Sequence, residues 1–145
     1  MSGFDFRRML ATYGTAIAAL LLFCFFAVAA QNFLNPTNLL NVLKQVSFLA
    51  ILGIGFGLAF TVAELDLSFA AVCSFCTVVA GGLVHHKYPP AAAVAAGIAA
   101  GLTAGTLNGL LVTRLKIPSL IATLATASVA TGLGFAITGG VAFVG

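Results

Sequence analysis

The sequence predicts an all-α, polytopic bundle of about five transmembrane helices with a cytoplasmic N-terminus. Of the 145 residues, 61% are hydrophobic and only 6% are charged, whereas about 25% of the residues of a soluble domain are charged. Long apolar runs alternate with short polar or proline-containing turns, and glycines recur at four-residue spacing. So few charges cannot cover a water-exposed surface. The composition therefore excludes a soluble domain, a disordered chain and a nucleic-acid binder with a broad basic face.

Five apolar runs are long enough to cross a membrane, which takes about 20 residues. The first follows a basic start and resembles a signal peptide there, but it is longer than the usual apolar core of about 7–15 residues. We therefore expect a retained first helix. Division at charges, prolines and amides places the spans at residues 9–30, 46–63, 67–84, 91–113 and 119–145.

A polar segment between the first two runs predicts an interfacial helix over residues 36–45. Asn35 can cap it with Pro36 in the first helical position. Its apolar residues form one stripe, with amides and Lys44 opposite. Such a helix lies at the membrane surface and leads into the second span.

Two acidic residues, Glu64 and Asp66, separate the second and third runs. As a single helix, residues 46–84 would be about 58 Å long, which is too long for one crossing. A break there gives five spans and places four basic residues inside (Arg7, Arg8, Arg114, Lys116) and two outside (Lys44, Lys87), as the positive-inside rule requires. Asp66 can cap the third span through its carboxylate.

Glycines spaced four residues apart predict close helix packing. They lie on the second and fourth spans: Gly53, Gly57, Gly97, Gly101, Gly105 and Gly109. Prolines at 89, 90 and 118 stand where the fourth and fifth helices are expected to begin. Asn108 lies inside the fourth span, where a buried amide must find a partner or line a polar path.

The sequence contains little that indicates a catalytic function. It contains no phosphate-binding P-loop and no zinc-protease motif. Cys73 and Cys76 share a helix face but have no second ligand pair, and His85-His86 stands in an outer turn. We expect no catalytic, cofactor or metal site. Intramembrane ionisable residues are functional candidates by default, so Glu64 and Asp66 are candidates for a pathway or a fold motif.

Three blocks carry a resemblance to a known family. The first is Asn32-Phe33-Leu34-Asn35-Pro36-Thr37-Asn38-Leu39-Leu40-Asn41-Val42-Leu43-Lys44-Gln45-Val46-Ser47. A glycine-rich span then ends in Leu65-Asp66-Leu67-Ser68. The last block is Leu107-Asn108-Gly109-Leu110-Leu111-Val112-Thr113-Arg114-Leu115-Lys116-Ile117-Pro118-Ser119-Leu120-Ile121-Ala122-Thr123-Leu124. From about residue 32 to 124, the sequence resembles the membrane permease subunit of ribose-type sugar ABC importers.

The resemblance implies a function and a set of partners. A periplasmic sugar-binding protein would deliver a monosaccharide or similar polyol to two permease subunits in the bacterial inner membrane. Cytoplasmic ATP-binding subunits would drive alternating access, so the permease would not itself be an enzyme. The polarity of Asn108 and Thr123 makes them candidates to lie near the path, and Ser68 belongs to the acidic motif. The partners would be these proteins and the lipid bilayer, without nucleic acid or cofactor.

Two departures from the family are informative. The acidic motif of the family usually reads Gly-Gly-Ile-Asp-Leu-Ser, and here Ala63-Glu64 replaces the two glycines. Family members are also much longer. We therefore expect residues 1–145 to be a single transmembrane domain that forms the N-terminal half of a permease.

Two other function classes stay open at the level of sequence. One is a small proton-coupled secondary transporter that uses Glu64, which would need that carboxylate deep in the lipid. The other is a membrane assembly protein that moves no solute. The sequence does not identify the sugar or say whether the partner permease is identical.

Overall fold

The fold is known from a computed structural model, which describes residues 6–141 apart from the side chains of Phe6 and Arg8. Every regular element in that range is helical, which confirms the all-α prediction. The helices are α1 (Phe6–Ala29), α2 (Pro36–Thr61), α3 (Phe69–His85), α4 (Pro90–Thr113) and α5 (Ser119–Thr138).

Four of these helices are long and apolar enough to cross a membrane by length and composition: α1, α2, α4 and α5. The remaining helix, α3, is apolar but has only 17 residues, about 26 Å at 1.5 Å per residue. Many large apolar side chains are exposed on the helices, among them Phe48, Ile51 and Leu102. Lipid tails solvate such side chains as well as a protein interior does, so this exposure suits a polytopic membrane protein.

The α2 helix is continuous from Pro36 to Thr61. The segment predicted as an interfacial helix over residues 36–45 is therefore the first part of the second long helix and not a separate element. Its start confirms the predicted cap, because Asn35 Oδ1 accepts a hydrogen bond from the Thr37 backbone N–H at 2.9 Å. Pro36 fits the first turn because no hydrogen-bond acceptor is needed for its nitrogen there.

The chain divides into two compact units between Phe48 and Leu49. In the first unit, the turn after α1 folds onto the end of that helix. The Phe33 ring lies 5.4 Å from that of Phe23 and 5.9 Å from that of Phe26. The Asn38 side chain donates to the Phe33 carbonyl at 2.8 Å, which fixes the turn against the start of α2.

In the second unit, α3, α4 and α5 pack as an up-down-up bundle. Small residues allow the close approach of α3 and α4. An added Cβ at Gly97 would lie 3.2 Å from the Cys76 carbonyl oxygen, and one at Gly101 would lie 3.3 Å from Cys76 Sγ. Ala93, Ala122 and Ala130 complete a small, tightly packed core.

The C-terminal end of α2 is closed by a left-handed residue, Ala63, at φ 59°. The Glu64 N–H donates to the Ala59 carbonyl at 3.4 Å, and the Ala63 N–H donates to the Phe60 carbonyl at 3.1 Å. These two bonds form a Schellman motif, in which glycine usually takes the left-handed position. The first glycine of the family motif would therefore stand at the one backbone position in this turn that favours glycine.

Replacing Ala63 by glycine is expected to stabilise the protein by about 1 kcal/mol, because a left-handed conformation costs a residue with a Cβ about 1–2 kcal/mol. The thermal midpoint in detergent should rise. The matched control is Ala95→Gly at an exposed position in the second turn of α4, where added backbone freedom should lower the midpoint. A lower midpoint in the Ala63 variant would contradict the left-handed turn.

Candidate functional site

The segment between α2 and α3, residues 64–68, has no regular secondary structure and is called here the extended segment. Asp66 stands three residues before α3, and the residue at the N-cap is Ser68. The prediction that Asp66 caps this helix is therefore wrong. Its Oδ1 accepts hydrogen bonds from the Ser68 backbone N–H at 2.8 Å and from Ser68 Oγ at 2.6 Å. Among the described residues, the carboxylate makes no hydrogen bond to the free N–H groups in the first turn of α3.

A line of hydrogen bonds connects Asp66 to the neighbouring helices. Asn108 Nδ2 on α4 donates to Ser68 Oγ at 2.9 Å, and Thr126 Oγ1 on α5 donates to Asn108 Oδ1 at 2.5 Å. Asp66, Ser68, Asn108 and Thr126 are called here the relay. Ser68 is 2% exposed and Asn108 is 8% exposed, so each of these polar groups has exchanged water for a protein partner.

Thr123 holds the backbone of the extended segment. Its Oγ1 accepts from the Leu67 backbone N–H at 3.2 Å and lies 3.4 Å from the Leu65 carbonyl oxygen. The Thr123 side chain is 3% exposed. One hydroxyl on α5 therefore supplies a partner for two backbone groups that no helix or strand satisfies.

These contacts lie away from the ends of α4 and α5, toward the middle of each helix. Asn108 stands five residues before the end of α4, and Thr123 stands four residues after the start of α5. At 1.5 Å per residue they are about 8 Å and about 6 Å inside those ends. Non-helical backbone is tolerated at membrane depth only where protein groups or a watery cavity surround it. The relay and Thr123 provide such surroundings for the extended segment.

A cavity of about 260 Å³ adjoins the extended segment. Its lining comprises Ala59, Val62, Glu64, Leu65, Asp66, Gly105, Asn108, Gly109, Val112, Thr113, Ser119 and Thr123. Glu64 is exposed and stands three residues after the last residue of α2, so it lies in the turn at the edge of the bundle and not in its middle. Four of the five candidate site residues thus line one cavity, and the fifth, Ser68, bonds to two of them.

The glycines predicted to pack helices divide into two groups. Gly97 and Gly101 face Cys76 on α3, whereas an added Cβ would meet no atom within 4 Å at the other four, Gly53, Gly57, Gly105 and Gly109. Gly105 and Gly109 line the cavity described above. Close packing in the second unit therefore uses the first half of the α4 glycine series.

Thr126 is the relay member that sequence reasoning missed. It stands three residues after Thr123, and residues at that spacing share one face of a helix. That spacing is a usable signal, but hydroxyl residues are frequent on α5 and most of them bond to their own helix. Thr131 and Ser128, for example, donate to the carbonyls four residues earlier. Only the contacts made in the fold distinguish Thr126 from these other hydroxyl residues of α5.

The chemistry of this site is that of structural hydrogen bonding. Within residues 6–141, every buried side-chain nitrogen and oxygen has a hydrogen-bond partner, and no three His, Cys, Asp or Glu side chains come together as metal ligands. The amide of Asn108 uses both its oxygen and its nitrogen. The arrangement fixes the extended segment on α4 and α5.

Comparison with known proteins identifies relatives of the chain. Residues 38–143 match the family described as branched-chain amino acid transport system / permease component. The chain is 34% identical over 135 residues to the ribose import permease protein RbsC of Bacillus subtilis (strain 168), covering 93% of this chain and 42% of that protein. It is 33% identical over 127 residues to the L-arabinose ABC transporter permease protein AraH of Azospirillum brasilense, covering 88% and 38%.

A third relative is the autoinducer 2 import system permease protein LsrC of Yersinia pestis (strain Pestoides F). It is 31% identical over 128 residues, which are 88% of this chain and 36% of that protein. The chain thus spans about two fifths of the length of the curated relatives it matches. No solved structure matches the chain. The family match includes the extended segment, the relay and Thr123, and it confirms the resemblance found in the sequence. The chain therefore belongs to this permease family of multi-pass membrane proteins.

Proposed function

We propose that the chain is part of the transmembrane permease subunit of a binding-protein-dependent ABC importer. Its cargo would be a monosaccharide or similar polyol, moved across the bacterial inner membrane by alternating access. The observation that carries this proposal is the similarity to import permeases, which combines the family match over residues 38–143 with the ribose and L-arabinose relatives. The names of two relatives specify the pentoses ribose and L-arabinose, so a pentose is the first substrate to test.

The proposal assigns the energy-consuming step to other chains. Cytoplasmic ATP-binding subunits would hydrolyse ATP, and a periplasmic sugar-binding protein would deliver the cargo to a pair of permease subunits, identical or related. The permease would change no covalent bond of the sugar. Its residues 1–145 would form one transmembrane domain, the N-terminal half of the longer subunit, with the turn of Arg114 and Lys116 in the cytoplasm.

The site residues take a structural role in this proposal. Asp66, Ser68, Asn108 and Thr123 would form the fold motif that holds the extended segment beside the cytoplasmic end of the bundle. Support comes from their hydrogen bonds, which go to one another and to backbone. The Glu64 side chain makes no such bond within the described residues and lines the adjoining cavity, so among the candidate site residues it is the one most open to solute.

The experiment is uptake into proteoliposomes that contain the intact permease with its ATP-binding subunits. Labelled ribose, L-arabinose and a hexose are supplied with the sugar-binding protein, and ATP or a proton gradient is provided separately. We expect uptake of at least one sugar with ATP and the binding protein, and none with the gradient alone. Gradient-driven uptake without ATP, lost in Glu64→Gln, would support the proton-coupled alternative and contradict the proposal.

The proton-coupled alternative needs a carboxylate that is withdrawn from water. Glu64 lies in the turn after α2 and not within a helix, and this position favours the importer. An assembly protein would give no solute flux under either condition, so the same experiment tests all three functions.

A further inference from the structure

The hydroxyl of Thr126 forms a different bond from most hydroxyls on these helices. Among the described residues, eight others donate to a carbonyl four residues earlier in their own helix: Ser47, Thr77, Thr103, Thr106, Thr113, Ser128, Thr131 and Thr138. A hydroxyl in lipid can always satisfy itself in this local way. Thr126 Oγ1 donates to Asn108 Oδ1 on α4 instead, so its bond joins two helices.

The relay has a single direction. Thr126 donates to Asn108, Asn108 donates to Ser68, and Ser68 donates to the carboxylate of Asp66. Because the one proton of Ser68 Oγ is directed at Asp66, Ser68 can only accept from Asn108. The amide of Asn108 must therefore present nitrogen to Ser68 and oxygen to Thr126. Successive bonds of one direction polarise and strengthen one another.

The relay joins every part of the second unit except α2. It begins on α5, passes through α4 and ends in the extended segment that leads into α3. Thr123 adds a second connection from α5 to the same segment through Leu67 N–H. Over the range that the structure describes, the Thr126 side chain makes a single bond, to Asn108, whereas the side chains of the other three relay members each take part in two.

We infer that Thr126 is a positioning residue for transport: it orients Asn108 so that α3, α4, α5 and the extended segment move as one rigid body. This inference rests on the proposed importer function. An importer that alternates between two states needs bodies that keep their internal geometry while they move, because packed elements switch between discrete arrangements. Loss of the Thr126 bond frees the Asn108 amide to rotate and loosens the extended segment.

The test compares Thr126→Val with two other variants in the proteoliposome assay. Thr126→Ser keeps the hydroxyl, and Thr131→Val removes a hydroxyl that bonds only to its own helix. We expect Thr126→Val to lower kcat for ATP-driven uptake about three- to tenfold, with KM for the sugar within about twofold of wild type. Thr126→Ser and Thr131→Val should transport as the wild type does.

A second readout follows the extended segment itself. Amide hydrogen exchange of Leu67 and Ser68 in the intact permease should be about tenfold faster in Thr126→Val. The Ser68 N–H bonds to the relay member Asp66, and Leu67 stands between these two relay residues. Thr131→Val should leave their exchange unchanged. This measurement needs no sugar, so it tests the rigid body separately from the importer.

The outcomes separate the inference from the proposed function. If the wild type imports no sugar, the importer proposal fails, and with it the transport role of Thr126. If the wild type imports sugar, three results would overturn the inference alone: unchanged kcat in Thr126→Val, a higher KM with unchanged kcat, or no restoration in Thr126→Ser. Faster exchange of Leu67 and Ser68 without a fall in kcat would likewise remove the transport role.

Discussion

Replacing Asn108 by leucine is expected to destabilise the protein by about 2–3 kcal/mol and to impair uptake, while insertion into the membrane continues. Leucine has a similar volume but can neither donate to Ser68 nor accept from Thr126. A buried polar group that loses its partner costs about 1–3 kcal/mol, and two partners are affected here. The measurements are the thermal midpoint in detergent, the amount of protein in the membrane and the rate of sugar uptake.

A double-mutant cycle gives the control for this variant. Because Thr126 acts through Asn108, adding Thr126→Val to Asn108→Leu should lower the stability by less than about 0.5 kcal/mol further, whereas independent sites would add. Additive losses would contradict the relay. Normal uptake and stability in Asn108→Leu alone would remove Asn108 from both the pathway and the fold motif.

Thr123→Val has the second largest expected effect, a loss of about 1–3 kcal/mol of stability. Valine keeps the shape of threonine but leaves the Leu67 N–H without its acceptor, beside a side chain that is only 3% exposed. An unsatisfied backbone donor in such a place costs free energy comparable to a lost hydrogen bond. The thermal midpoint measures the loss.

Two variants complete the test of Thr123. Thr123→Ser keeps the hydroxyl and should restore most of the stability. Thr103→Val removes a hydroxyl of α4 that is exposed and bonds only to the Ala99 carbonyl, so its effect should stay small. If Thr103→Val and Thr123→Val lower the stability equally, the bond from Thr123 to the extended segment contributes no more to stability than a hydroxyl bond within one helix.

Much of the architecture is readable from the sequence because lipid imposes simple rules on it. Apolar runs bounded by charges and prolines locate five helices, and Asn35-Pro36 marks the start of α2 with its cap. The division between an interfacial helix and a second span was not correct, since a helix can pass from a polar to an apolar stretch without a change in its backbone bonds. The amphipathic pattern predicts whether a stretch of helix lies in water or in lipid, but it does not predict where the helix begins or ends.

The sequence singles out four residues of the candidate site but neither Thr126 nor the bonds that connect them. Asp66, Ser68, Asn108 and Thr123 stood out because polar groups are rare in an apolar chain. Their bonds depend on how α4 and α5 approach the extended segment, which involves pairs separated by 40 residues for Ser68 and Asn108. No local pattern encodes such a separation. Asp66 was assigned to the helix start, although its oxygen bonds to Ser68, which takes the N-cap position.

At Ala63 the departure from the family pattern has a consequence for the backbone. The sequence indicated only that alanine and glutamate replace two glycines. The fold places the first of them in a left-handed turn at φ 59°, so the substitution affects backbone strain. Glu64 follows in the turn and is exposed, where a charge can be solvated at the edge of the bundle.

The most direct measurement is residue-resolved amide hydrogen exchange across residues 64–68 of the intact protein in a lipid nanodisc. Leu67 and Ser68 donate to Thr123 and Asp66, whereas the described part of the chain offers no acceptor to the Leu65 and Asp66 amides. We therefore expect slow exchange at Leu67 and Ser68 and fast exchange at Leu65 and Asp66. Uniformly slow exchange would mean a continuous helix, and uniformly fast exchange a loose loop. Either result would contradict an extended segment held by α4 and α5.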